Sequence, residues 1–480
     1  MIEDYNSSYF KDSPKYRWFI LATVSIGTFM STLDSSIVSV ALPTISGQLQ
    51  ANLSTLQWVV TAYLLTISSL LPVFGRLADL IGRKRVYSSG FIVFTLGSAL
   101  CGLATNIWFL IGMRVLQAIG ASILMANSPA IITANFPPKE RGKALGLTGT
   151  VVALGSLTGP ALGGILVGLL NWRTIFYINL PIGILGYIAA LVILPLDTPL
   201  PNSETFDFLG AFLFTGGMLC LLFSLSNGQD WGWKSYLIIG GLILGLILLI
   251  TFFLAEIHVS SPMIDLSLFQ IRPFLVGNMT GFLSFVAMFA NTMLMPFYLQ
   301  HVLNYDPTQV GLIMTSFPLT LAISAPISGH ISDIIGPRVL TTSGLIVFAS
   351  GFLYLSSLTA CSLSWQIVPG LLLIGLGCGL FQSPNNSSVM SSVPAIKLGI
   401  AGGINALLRN VGMVIGISYS ISLFENRQAV LLEGIISPTA AQKANAFVGA
   451  YQIVMLTSMG IAIVAGLLSL YRKGYYQPEA

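Results

Sequence analysis

Charge is what this sequence has least of. Only 8% of its 480 residues are Asp, Glu, Lys or Arg, against roughly a quarter in a soluble domain, so water is not the solvent of most of its surface. Histidine occurs only at His258, His301 and His330, scattered over the chain, and no metal or relay constellation emerges from them. The four cysteines, Cys101, Cys220, Cys361 and Cys378, stand singly in or beside apolar runs, so no disulfide or thiolate-metal framework follows. There is no GxxxxGK[ST] phosphate loop, which leaves an ATP-driven pump without its motor. The N-terminal stretch "MIEDYNSSYFKDSPKYR" is too polar for a cleaved signal peptide, and the apolar run from Trp18 is expected to be retained.

What is present is apolar, 54% of the chain, in repeated runs of about twenty residues that suit helices crossing a hydrocarbon core of roughly 30 Å. The expected fold class is an all-α polytopic membrane protein. Helices are expected near 18–43, 56–75, 86–104, 107–134, 144–170, 174–195, 208–226, 235–255, 274–300, 307–329, 339–358, 365–392, 398–424 and 446–471, which makes fourteen. With the N-terminus inside, the loop and terminal cations divide 15 to 4, the outer ones being Arg173, Lys234, Arg427 and Lys443. Cations concentrate in short cytoplasmic loops, so both termini are expected in the cytoplasm.

The chain repeats itself. "GRLADLIGRKR" (75–85) returns as "GHISDIIGPR" (329–338), placing Gly75 on Gly329, Asp79 on Asp333 and Gly82 on Gly336 at an offset of 254, while Pro43 falls on Pro296 at 253. Two six-helix halves with a pair of helices interposed at about 208–255 account for this spacing.

Four stretches resemble the major facilitator superfamily, and within it the fourteen-helix branch of drug:proton antiporters: "LDSSIVSVALP" (33–43), "GRLADLIGRKR" (75–85), "RVLQAIGAS" (114–122) and "GSLTGPALGG" (155–164). The resemblance covers nearly the whole chain. It implies a six-helix bundle in residues 1–195, two additional transmembrane helices with their loops in 196–268, and a second six-helix bundle in 269–480. It also implies Gly75, Asp79, Gly82 and Arg83, with Asp333 in the weaker second copy, as a gating motif that locks one state of an alternating-access cycle. Gly155, Gly159, Pro160 and Gly163 correspond to the antiporter motif. As plain chemistry, the charges of the loop motif also set topology, and glycines every four residues let another helix approach closely.

Asp34 is the only acidic residue expected well inside a helix, and an ionisable group there is a functional candidate by default. At 1.5 Å per residue, Asp34 lies about 13 Å below Pro43 and Arg114 about 12 Å below Asn106, so the two stand at similar depth. The resemblance places helices 1 and 4 together on the N-terminal side of a central cavity and so implies a direct or water-mediated Asp34–Arg114 interaction, with proton coupling as its functional reading and local backbone satisfaction as its structural one. Arg409 is the only charge inside helix 13 and aligns with Gly155 across the repeat; it reads equally as functional or structural. Trp58, Tyr63, Gln117, Asn127, Asn291, Gln382 and Asn385, together with Arg409, are candidates for a substrate cavity, because aromatic and amide side chains suit amphipathic ligands. The same side chains commonly pack helices or face lipid.

The expected function is proton-coupled export of amphipathic drugs or toxic compounds across the cytoplasmic membrane, by a chain that works as a monomer with no metal, cofactor or nucleic acid. An uptake symporter or dedicated metabolite exporter would share the fold. A non-transporting membrane sensor is a rival of another class. With a single intramembrane carboxylate, neutral, zwitterionic or monocationic substrates are expected to fare better than dications, whose desolvation needs more compensation.

Overall fold

The structure is a computed structural model describing residues 15–196, 207–229, 231–258, 264–394 and 397–472. Lys11, Lys473 and both chain termini lie outside the described residues, as do parts of the segments flanking the interposed pair.

Among the described residues, fourteen long helical segments follow one another: α1 (Tyr16–Leu49), α2 (Leu53–Ile81), α3 (Arg83–Gly102), α4 (Ile107–Asn135), α5 (Pro138–Leu169), α6 (Thr174–Ile193), α7 (Phe208–Asn227), α8 (Tyr236–Glu256), α9 (Arg272–Val302), α10 (Pro307–Ile335), α11 (Pro337–Leu355), α12 (Ser364–Ser391), α13 (Leu398–Leu432) and α14 (Ala440–Leu470). Among the described residues, thirteen are long and apolar enough to cross a membrane. The remaining one, α3, opens on Arg83, Lys84 and Arg85 and carries Ser88, Ser89, Ser98 and three glycines, which dilutes its apolarity. It nevertheless runs along α4 and α6 inside the bundle. The chain is therefore a multi-pass membrane protein, and fourteen crossings are compatible with its helices.

The helices are longer than their apolar runs. Residues 75–81 of the repeated polar phrase are the last turns of α2, not a loop, and only Gly82 separates them from α3. The second copy does the same: α10 ends at Ile335, Gly336 breaks the chain, and α11 begins at Pro337. Gly82 and Gly336 have φ of +102° and +85°, a region that side chains with a Cβ rarely enter. The sharp stop thus belongs to the glycine, while the polar residues before it stay helical. Likewise α1 continues through Pro43 to Leu49, and α9 passes Pro296 and ends in a π-helical turn, Tyr298–Val302. α13 runs two turns beyond its expected end, so Arg427 lies on the helix and not in a loop.

Helix pairing repeats along with the sequence. α1 packs on α4, α5 and α6, α2 on α4, and α3 on α4 and α6; in the second half α9 packs on α12, α13 and α14, α10 on α12, and α11 on α12 and α14. Lipid tails drive helices together weakly, so close backbone approach must supply the contact. Phe94 of α3 lies against Gly120, and Phe348 of α11 lies against Gly377 in the same way. The interposed pair is attached through α7, which touches α2 and α13, while α8 packs on α7. Thr215 of α7 donates to the Ser69 carbonyl (3.1 Å), and Ser226 shares a 2.7 Å hydrogen bond with Ser418.

Candidate functional site

Four helices of the first half bring their few polar side chains to one buried point. Asp34 of α1 is fully buried, as are Arg114 and Gln117 of α4, Ser98 of α3 and Asn179 of α6. Arg114 Nη1 lies 2.5 Å from Asp34 Oδ2. Asp34 Oδ1 accepts from Gln117 Nε2 at 2.8 Å and from Asn179 Nδ2 at 3.0 Å. Arg114 also donates through Nε to the Val59 carbonyl of α2 (2.9 Å) and through Nη1 to Gln117 Oε1 (2.7 Å). Its guanidinium sits 4.0 Å from the ring centroid of Tyr63, a stacking that further compensates a cation out of water. Ser98 accepts from Gln117 (3.1 Å) and Asn179 (3.1 Å) and donates to the Phe176 carbonyl (2.8 Å).

This arrangement leaves the carboxylate surrounded by donors: one guanidinium and two amides for two oxygens. A buried charge pair survives only when such extra hydrogen bonds satisfy it. Arg114 Nη2 and the Asn179 Oδ1 carbonyl remain without partners among the described residues. The sequence places Asp34 and Arg114 at one depth, and the structure joins them. Asn179 and Ser98 were not expected; the available signal was an amide in the otherwise apolar run "TIFYINLPIGILGYIAALVIL", since polar residues within a membrane helix seek a partner.

The candidate cavity residues do not converge. Tyr63 and Gln117 belong to the buried cluster around Asp34. Trp58 faces the interposed pair, its ring 5.2 Å from Phe223 of α7, since α7 covers that side of α2. Asn127 spends its amide on the Ile123 carbonyl of its own helix (2.8 Å). Asn291 accepts from Tyr451 of α14 (3.0 Å), and Asn385 donates to the Gly277 carbonyl (3.1 Å) and accepts from Arg472, so both tie the second half together. Amide spacing alone did not distinguish helix-to-helix ties from cavity lining. Gln382 is partly buried, its Nε2 2.9 Å from Cys378 Sγ. Arg409 alone of this set is a partly exposed charge on the inner helix α13.

The glycine motif of α5 also has a different neighbour from the one a moving seam would require. A Cβ at Gly155, Gly159 or Gly163 would strike Thr32, Ser36 or Ile37 of α1, within the same half. The seam between halves is one position round the helix: a Cβ on Gly164 would lie 2.8 Å from the Gly311 Cα of α10. At this same end Thr308 donates to the Gly164 carbonyl (3.4 Å) and Gln300 of α9 to the Val40 carbonyl (3.3 Å).

At the opposite end, which carries Arg83, Arg141 and Lys397, a crevice lies between the halves beside the contacts of α13 with α2 and α4. This crevice, of about 470 Å³, is lined by Gly75, Asp79 and Arg83, by Ala126 and Ala130 of α4, and by Gly403 and Leu407 of α13. Asp79 accepts from Arg83 Nη2 at 2.9 Å, while Arg83 Nη1 reaches the Ala130 carbonyl at 3.3 Å. Asp333 in the second copy is exposed; where the first copy has Arg83, the second has Pro337. Near the crevice, Lys397 pairs with Asp265 at 2.5 Å. Burial raises the Asp265 pKa, but hydrogen bonds from Lys397 and Ser267 outweigh that and hold it below 3.8.

The model of the Major Facilitator Superfamily matches residues 24–207 and 205–417. The riboflavin transporter RibZ of Clostridioides difficile is 38% identical over 448 residues, 93% of this chain and 95% of that protein. The multidrug transporter protein MdtP of Bacillus subtilis is 34% identical, covering 88% and 78% of the two chains. The multidrug resistance protein Stp of Mycobacterium tuberculosis is 36% identical, covering 82% and 74%. Among solved structures, a bacterial homologue of the human lysosomal transporter Spinster, inward-facing and unoccupied, superposes with a TM-score of 0.64 at 15% identity, covering 95% and 97%; that likeness concerns the fold alone.

Proposed function

The chain belongs to the major facilitator superfamily and is a membrane transporter, not an enzyme, and from that premise we propose that it exports amphipathic small molecules across the cytoplasmic membrane in exchange for protons. The observation that carries this reading is the buried Asp34–Arg114–Gln117–Asn179 cluster. It holds one titratable carboxylate out of water with its donors pre-positioned, as a proton carrier needs. Alternating access is supported by the close contact of the halves at Gly164 and Gly311 and by a crevice between them at the basic end. With the basic end read as cytoplasmic, this arrangement supports an inward-open state, with Asp79 and Arg83 lining its crevice. The names of MdtP and Stp support export of drugs.

A second reading is favoured by the 38% identity to RibZ over nearly the full length of both chains: transport of riboflavin, a flat, acceptor-rich heteroaromatic. One pair of assays separates the two. Cells expressing the chain are loaded with a fluorescent amphiphile and followed with and without a protonophore, and a riboflavin auxotroph is tested for growth on limiting riboflavin. Uncoupler-sensitive efflux supports the exporter; efflux indifferent to the uncoupler removes proton coupling. Rescue of the auxotroph without dye efflux replaces the first reading by the second.

A further inference from the structure

Among the described residues, no carboxylate pairs with Arg409, a cation within α13. It lies eleven residues from the start of α13, about 16 Å along the helix axis, near the middle of a core roughly 30 Å thick. Asn405, one turn earlier, donates to Asn386 of α12 at 3.2 Å. Three residues later, a Cβ on Gly412 would sit 2.7 Å from the Phe282 carbonyl of α9. Arg409 therefore occupies the side of α13 turned toward α9 and α12. Elsewhere α13 is packed by α2, α4, α7 and α14, so the partial exposure of Arg409 opens into the protein and not to lipid.

Among the described residues no hydrogen bond or ion pair reaches its guanidinium. Arg114, by contrast, is cancelled by Asp34 and stacked on Tyr63. The remaining described carboxylates near the seam, such as Asp79, Asp265 and Asp306, stand at helix ends and not at this depth. A guanidinium at this depth without a counter-charge is costly, and its planar fork matches a carboxylate or a similar anionic oxygen pair. Arg409 thus brings an uncompensated positive charge to this side of α13, with Asn386 and Asn405 as neutral hydrogen-bonding neighbours and Phe282 and Phe285 of α9 near Gly412.

We propose that Arg409 selects amphipathic aromatic substrates bearing an anionic oxygen group, an assignment that rests on the export reading and names its substrate class. The test uses the purified full-length protein and two rhodamine dyes that differ only in a free carboxylate against its ethyl ester. The wild type is expected to bind the carboxylate form about tenfold more tightly, the ratio a single charge-assisted hydrogen bond supports. Arg409→Gln is expected to lose that preference and Arg409→Lys to keep part of it, with both variants checked for monodispersity and retained membrane insertion. Comparing the ratio between wild type and variant cancels the unequal partition of the two dyes. Equal affinities in the wild type, or an undiminished preference in Arg409→Gln, overturn the assignment and leave export standing. A preference that depends on Arg409 without proton-dependent efflux of either dye supports the assignment and overturns the export reading. Failure to bind either dye overturns both.

Discussion

Replacing Asp34 by Asn exchanges one oxygen for an NH2 group in a pocket built from donors. Whichever way the amide turns, its NH2 must face either the Arg114 guanidinium or the Gln117 and Asn179 amides, all of which donate to Asp34. Arg114 then becomes a buried cation without its counter-charge, a change that costs about 3–5 kcal/mol. Removing both charges together, as in Asp34→Asn with Arg114→Gln, is expected to cost less than the sum of the single changes, because neither partner is then left charged and alone. The functional magnitude follows from the coupling. One proton crossing about 100 mV supplies about 2.3 kcal/mol, roughly a fifty-fold concentration ratio, and a chain that cannot release that proton loses it. The assays are thermal stability of the detergent-solubilised single and double variants, and dye accumulation in everted vesicles energised by a proton gradient. Membrane insertion should be preserved, and Asp34→Glu should keep part of the activity. Uphill accumulation by Asp34→Asn at the wild-type level would refute the coupling role. Strictly additive stability losses would refute the charge-pair account.

Asp79→Asn removes a pair whose side chains are about a third exposed, so stability should change by less than about 1 kcal/mol while turnover slows; a loss of dye affinity at unchanged turnover would count against a gating role. Gly164→Val inserts atoms where the Gly311 backbone lies, so a cysteine at Thr308 should become more reactive to a membrane-impermeant maleimide added from outside, and unchanged labelling would show that this seam does not close. The Asp265–Lys397 pair stabilises the folded chain above pH 3.8, because the Asp265 pKa is lowered on folding, and that contribution fades as pH falls through the lowered value; in Asp265→Asn the thermal stability should lose this part of its acid dependence. A divalent quaternary ammonium should be exported less well than its monovalent analogue, measured as resistance in matched host cells, and equal protection would bring another carboxylate into the cavity.

The repeat was legible because both copies keep their glycines and aspartates at one offset, and the structure shows why: Gly82 and Gly336 are the backbone breaks and Asp79 and Asp333 the last turns before them. The helix ends were less legible. Hydropathy reports where apolar side chains stop, whereas the helices continue into polar residues until a glycine or a cap stops them, as Gly82 does for α2. Asp34 and Arg114 were readable one by one, since a charge in an apolar run is conspicuous. Asn179 and Ser98 were not, because serines and amides occur throughout these helices and most of them, like Asn127, merely bond a carbonyl one turn back. Trp58 shows the same limit from another side: nothing in its helix reveals that α7, interposed 150 residues later, covers it.

The position of the Asp34 cluster constrains how a proton can be linked to a substrate. Asp34 is fully buried in the first half, while Arg409 belongs to the second, so the proposed exchange would run through no direct contact of the two in this state. α1 is the element common to both sides of the problem. It carries Asp34, bears the Gly155–Gly159–Gly163 face of α5 on Thr32, Ser36 and Ile37, and meets Gln300 of the second half through the Val40 carbonyl and Thr44. Protonating Asp34 would weaken its hold on Arg114 and the two amides, which belong to α4 and α6, and so free α1 from the helices that fix it within its half. In this proposal the glycine face would be the surface along which α1 and α5 stay together, and the Gly164–Gly311 contact the point where their shared movement reaches α10. A cysteine bridge joining α1 to α4 near Asp34 would therefore arrest transport without touching the cavity, whereas one joining α1 to α5 should leave it running. The reverse pattern would place the moving joint between α1 and α5 and make the glycine face the hinge.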